Sequence, residues 1–240
     1  MILTDVTRPA GTESPVGAPP GQPMHADPVI AARLERFSAL LLERNAKVNL
    51  TSARDPASVA LHIRDALTLL PFVTGPLVDV GSGGGFPAIP LAIVAGVPLT
   101  LIESVAKKAR FLEEALKALG LPGRVVCARA ESAAREPGLR ERFSCATARA
   151  VASLPTVLEL TVPFLALGGR AVLQRGKAEP GEQSAADDAG LVLGVVRVED
   201  IALDGVRRIV IFEKRAATPG RFPRRGGIPA KRPLCVGSDA

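Results

Sequence analysis

Residues 77–93 read LVDVGSGGGFPAIPLAI, a short apolar strand that runs straight into a glycine-rich turn and then into an apolar helix. Gly81, Gly83, Gly84 and Gly85 fall within five positions. Glycine pays for its freedom in entropy, so such a cluster implies a backbone that turns sharply or meets something closely. The helix start behind the turn offers amide groups with no partner of their own. In open α/β sheets, ligands bind outside the carboxyl ends of the strands. The stretch therefore predicts a strand–turn–helix unit that cradles a nucleotide-like ligand. The plain alternative is a tight turn with no ligand.

Beyond residue 93 the alternation repeats. Leu99–Ile102, Val125–Ala128, Phe143–Ala148 and Ala171–Leu173 read as strands. Helices are expected at Pro87–Ala95, at Val105–Leu119 with Ser104 as cap, and at Pro155–Leu167 ended by Gly168-Gly169. Alternation of this kind argues for a parallel sheet with helices on both faces. Gly194–Ile201 and Arg208–Phe212, joined through Leu203-Asp204-Gly205, read as an antiparallel edge pair. Ahead of the sheet, Asp27-Pro28 and Asp55-Pro56 read as helix starts, with Asp as cap and Pro in the first turn. Ile30, Leu34, Phe37 and Leu41 then recur at helical spacing, as do Val59, Ile63, Leu67 and Leu70. The chain divides into a disordered Pro/Gly-rich extension (1–28), a helical segment (29–76), the α/β domain (77–214) and a basic tail (215–240).

The net charge of +6 is unevenly placed. Residues 214–232 carry seven Lys and Arg and no acid, leaving the remainder close to neutral. A cationic Pro/Gly-rich segment suits a polyanion. Eight Phe, with no Tyr or Trp, exclude an RNA surface built from many Tyr or Trp platforms. Cys127, Cys145 and Cys235 are odd in number and far apart, which suits a reducing compartment and incidental thiols. With only His25 and His62 besides, no metal-ligand cluster is readable. The most apolar run is broken by prolines and glycine, so neither a membrane span nor a leader is expected. The expectation is a cytoplasmic protein.

Glu103 ends the second strand of the sheet, where a carboxylate accepts from two ribose hydroxyls. That geometry serves NAD and S-adenosylmethionine equally. Ala130-Glu131, after the third strand, stands where an adenine ring would lie. A P-loop is excluded, because Gly176-Lys177 is followed by Ala178 and Ala171 holds the first glycine position. A dinucleotide loop wants G-x-G-x-x-G, yet Phe86 occupies the last position. An NAD-dependent oxidoreductase and a non-catalytic RNA-binding protein are the competing readings. His62 reads as a packing or helix-surface histidine.

The motifs LVDVGSGGGFPAIPLAI, LIESVAKKARFLEEALKALGL, ARAVASLPTVLEL and RFPRRGGIPAKRPL resemble the G-type methyltransferases of bacterial small-subunit ribosomal RNA, formerly called glucose-inhibited division protein B. KVNLTSARDP and HIRDAL resemble the front end of that family, and the likeness spans about residues 30–234. Ala66 in HIRDAL, where the family often has Ser, and the stretch VLQRGK depart from its pattern. The resemblance implies a class I S-adenosylmethionine-dependent, Rossmann-like methyltransferase fold: a mostly parallel sheet with an antiparallel edge pair plus N-terminal helices. It implies methyl transfer to N7 of one guanine in small-subunit (16S) ribosomal RNA, as rRNA or assembled particle. On that basis Gly81, Gly83, Gly85, Phe86, Glu103, Ala130, Glu131 and Arg149 contact the cofactor, and Arg149 also faces the target pocket. N7 carries no proton, so no general base is required, and Arg149 positions rather than catalyses. Arg221, Arg224, Arg225, Lys231 and Arg232 are the expected phosphate contacts. The chain is expected to act as a monomer, without metal or membrane.

Overall fold

The computed structural model describes residues 27–149, 152–177 and 179–234. The expected extension before Asp27 lies outside the described residues, as does Cys235. Helices α1 (Pro28–Val48) and α2 (Pro56–Leu67) start on the two Asp-Pro pairs. Asp27 accepts from the Val29 N–H at 2.8 Å and Asp55 from the Ser58 N–H at 2.9 Å. Each carboxylate satisfies an amide that a first turn leaves without a partner. The periodic apolar residues face inward: Phe37 and Leu41 from α1, and Val59, Ile63 and Leu67 from α2, are buried.

Seven strands follow: β1 (Leu77–Val80), β2 (Leu99–Glu103), β3 (Gly123–Cys127), β4 (Phe143–Arg149), β5 (Leu165–Arg175), β6 (Val195–Ala202) and β7 (Arg208–Lys214). They form one sheet in the order β3-β2-β1-β4-β5-β7-β6. β1 to β5 are parallel; β7 runs antiparallel to both β5 and β6. A doubly wound dinucleotide sheet has the order 3-2-1-4-5-6. Here a reversed β7 is wedged before the last strand. α1, α2, α3 (Ala88–Ala95) and α4 (Ala106–Leu119) cover one face and bury one apolar core with it. α5 (Ala130–Ala133), α6 (Leu154–Thr161) and α7 (Glu182–Leu193) cover the other.

Two expectations are corrected. α6 ends at Thr161, a single 3-10 turn (Val162–Phe164) follows, and Leu165–Leu167 already belongs to β5. Gly168-Gly169 therefore does not stop a helix; it lies inside β5, where pairing jumps from Phe143↔Leu165 to Cys145↔Arg170. The Phe143 carbonyl comes within 2.8 Å of where a Cβ on Gly169 would sit, so only glycine fits this irregular strand. Nor does Ser104 cap α4. The capping position is Val105, whose N–H donates to Glu103 Oε1 at 2.8 Å.

The basic segment is not a loose tail. Phe222 is fully buried in the second core. Arg140 donates to the carbonyls of Phe222 and Thr218 at 2.9 and 2.8 Å. A short helix, α8 (Ile228–Lys231), then packs on α6, with Thr156 donating to the Pro229 carbonyl. Arg224 departs from the phosphate-gripping role expected of it. Its guanidinium forks onto Glu159, with Nε to Oε1 at 2.9 Å and Nη2 to Oε2 at 2.6 Å, and its own N–H donates to Oε1. Glu159 is fully buried, so this arginine neutralises an internal charge rather than serving an external one.

Candidate active site at the carboxyl edge of the sheet

The glycine turn leaves β1 at the carboxyl edge. Gly81, Gly83 and Gly85 adopt φ of 74, 53 and 89°, the left-handed region that side chains avoid. A Cβ on Gly85 would also strike Ile89 Cδ1 at 2.6 Å, whereas nothing crowds the free side of Gly83 but the Gly81 carbonyl at 3.8 Å. The turn is braced from behind. Asn45 in α1 holds the following loop through four hydrogen bonds, to the Leu50 and Thr51 amides and the Thr51 and Ala53 carbonyls. That fixes the Leu50 carbonyl 3.0 Å from the Cβ position of Gly84. The KVNLTSARDP motif thus shapes the turn from across the fold.

Glu103, buried at the end of β2, accepts from the Gly83 N–H at 2.9 Å and from Val105. One carboxylate ties the glycine turn to the start of α4. Each oxygen keeps a further lone pair for a ribose hydroxyl. Beside it opens a cleft of about 230 Å³, lined by Gly81, Ile102, Ala130, Glu131, Ala152 and Ala230. The structure therefore brings Gly81, Ala130 and Glu131 together. It adds Ala230 from the C-terminal segment, a contact that the order of motifs along the chain does not reveal. Glu131 accepts from the Gly227 N–H at 2.7 Å and pairs with Arg129 at 3.3 Å. Burial pushes its carboxyl up, but the Gly227 N–H, its own N–H and Arg129 together hold it below the usual carboxylate range.

Phe86 and Arg149 lie on the other side of the turn. Arg149, the last residue of β4, reaches His62 Nδ1 with Nη2 at 2.9 Å, stands 5.6 Å over the Phe86 ring, and has Nη1 3.6 Å from Asp65. His62 itself lies 5.6 Å from Phe86, ring to ring. This group gathers α2, the glycine turn and β4. His62, expected to pack or to lie on a helix surface, packs against Phe86 and also makes a polar contact with a site residue. The spacing of His62 and Asp65 in HIRDAL, one helical turn apart, is the signal in the sequence that points to it. Gln174, from the VLQRGK stretch, donates to Asp65 Oδ1 at 2.7 Å and completes the support.

Beneath the turn sits Asp79, which no motif in the sequence singles out. Register places it beside Thr147, whose hydroxyl donates to Oδ1 at 2.7 Å. Its Oδ2 is buried with no hydrogen-bond partner among the described residues. Burial pushes this carboxyl up to about 7, against the hydrogen bond from Thr147; the Ser82 hydroxyl donates to the Asp79 backbone carbonyl at 3.1 Å. Cys145 is also buried, its thiol raised to about 12, which makes it a packing residue. Among the described residues no helix is long and apolar enough to cross a membrane.

A family model described as rRNA small subunit methyltransferase G matches residues 30–210. The chain is 44% identical over 216 residues to the ribosomal RNA small subunit methyltransferase G of Rubrobacter xylanophilus, covering 84% of this chain and 82% of that one. It is 42% identical to the protein of the same name from Desulfitobacterium hafniense, covering 84% and 90%. Among solved structures, a geranyl diphosphate methyltransferase in complex with GPP and sinefungin superimposes with a TM-score of 0.56 at 14% identity, over 78% of this chain and all of the other. That likeness speaks for the fold alone.

Proposed function

This chain belongs to the rRNA small subunit methyltransferase G family, and from that premise we propose that it transfers a methyl group from S-adenosylmethionine to N7 of one guanine in small-subunit ribosomal RNA. The observation that carries the reading is the glycine turn, hydrogen-bonded through Gly83 to Glu103 and opening beside the Ala130–Glu131 cleft. The residues fit the cofactor: three glycines with positive φ, and a carboxylate, Glu103, with lone pairs left for ribose hydroxyls. Gly81, Gly83, Gly85, Ala130 and Glu131 would hold its adenosine part, with Glu103 at the ribose. Bound there, S-adenosylmethionine supplies an electrophilic methyl group, and an N7 lone pair with no proton to shed asks for no general base.

The chain's own work is then positioning, worth about 7–11 kcal/mol in well-oriented reactions. Phe86 and Arg149 wall the far side of the turn, where the acceptor must arrive. The acceptor base has to be unpaired or turned out of its stack to reach it. Arg221, Arg225, Lys231 and Arg232 are exposed on the C-terminal segment beside the cleft and supply the RNA-facing charge. Domain limits of 29–76, 77–214 and 215–240, a monomeric state and a cytoplasmic location complete the reading. The sheet order with its reversed β7 speaks against the oxidoreductase alternative.

The test is transfer of labelled methyl from S-adenosylmethionine to small-subunit particles that lack the modification, with naked rRNA and large-subunit RNA as controls. Label recovered as 7-methylguanine in small-subunit RNA is the expected result. Cofactor binding without label in any RNA would overturn the substrate.

A further inference from the structure

We propose that His62 recognises the target base, donating its Nε2–H to guanine O6, and that Arg149 acts through His62. The inference rests on the guanine-N7 reading above. Arginine has five N–H donors and no acceptor. Its 2.9 Å contact with His62 Nδ1 therefore requires Nδ1 to be the accepting, unprotonated nitrogen, and the ring proton must sit on Nε2. A second proton would point Nδ1–H at a guanidinium. Burial and the nearby Arg149 lower the affinity of His62 for that proton, with Asp65 opposing. The ring is held as a neutral donor by α2 behind it, Phe86 beside it and Arg149 at Nδ1.

Nε2 has no hydrogen-bond partner among the described residues, and it is not among their buried unsatisfied atoms. It is a donor fixed in direction and open to a ligand. Its place in the fold says which ligand. The adenosine cleft lies over the ends of β1, β2 and β3. The methyl-bearing end must cross the Gly81 turn toward β4, where Arg149 and His62 stand. A base presenting N7 to that methyl group presents O6 on the same edge, as an acceptor. The chemistry favours a neutral donor there. The purine gains positive charge as N7 bonds, and a second cation aimed at O6 would oppose it. Arg149 is already turned toward His62 and Asp65, so it orients the donor rather than touching the base.

The test pairs a side-chain change with a base-atom change. Small-subunit RNA is reassembled with either guanine or 2-aminopurine, which keeps N7 and lacks O6, at the position that the full-length chain methylates. Wild type, His62→Leu and His62→Gln are compared by kcat/KM, with S-adenosylmethionine affinity and Tm as folding controls. Wild type is expected to prefer guanine by about tenfold, the size of a hydrogen bond of this kind. His62→Leu should lose about tenfold on guanine and show no preference between the bases. His62→Gln, which keeps an N–H near the same place, should regain most of the preference. A guanine preference in a folded His62→Leu equal to that of wild type, or no preference in wild type, would overturn the assignment. Failure of wild type to form any 7-methylguanine would instead overturn the functional reading beneath it.

Discussion

At the scale of single residues, the groups that define the site are those held against their solution preferences. Asp79 is the clearest. Its side chain is sealed under the glycine turn, with Thr147 on one oxygen and no hydrogen-bond partner among the described residues on the other. Burial raises its folded pKa from 3.8 to about 7. The folded state then binds more protons than the unfolded chain between those values, so this group's contribution to stability falls as pH rises from about 4 to 7. Asp79→Asn removes the ionisation and keeps an acceptor for Thr147. The Tm difference between variant and wild type should therefore grow in the variant's favour from pH 5 to pH 8, by an amount worth a few kcal/mol. Parallel Tm profiles would show that Asp79 stays ionised in the fold. Nothing in LVDVG announces this, because the burial of a strand residue between two neighbouring strands is settled by pairing partners distant in sequence.

At the scale of elements, legibility followed locality. The Asp-Pro helix starts, the β1–glycine–α3 unit and the β6–β7 pair are written in adjacent residues, and the structure has them where the pattern places them. The same local reading failed at Gly168-Gly169, where a helix stop and a strand bulge present the same two glycines; only the Phe143 and Ser144 carbonyls pressed against Gly169 decide between them. On the C-terminal segment the composition shows only a basic Pro/Gly-rich tail suited to a polyanion. Phe222 and the Arg224–Glu159 fork fasten that segment to α6. Arg224→Ala should leave Glu159 buried without its counter-ion and cost about 3–5 kcal/mol. Chemical denaturation measures it. A loss below about 1 kcal/mol would mean that the segment is not integral to the fold. Deleting the segment outright would expose the same charge, so a truncation cannot separate RNA binding from stability.

At the scale of the molecule, the reversed β7 and the bound C-terminal segment place two kinds of chemistry on one rim. The cleft beside the glycine turn is bordered by Ala230 of α8, while Arg225, Lys231 and Arg232 are exposed on the same stretch. These three make no side-chain ion pair among the described residues, in contrast to Arg224. Sequence alone could not sort the internal arginine from the external ones, since all stand within a few positions. Phosphate contacts release counter-ions, so each one adds roughly 0.7–0.9 to the slope of log K against log salt. Replacing Arg225, Lys231 and Arg232 together by Ala should weaken binding to small-subunit RNA and lower that slope by about 2–3, with Tm nearly unchanged because exposed, unpaired side chains contribute little to stability. Filter binding across a salt series, with melting as the companion measurement, reads both. An unchanged slope would move the RNA interface off this segment and onto the carboxyl edge between β4 and β7, where Arg207 stands half-exposed.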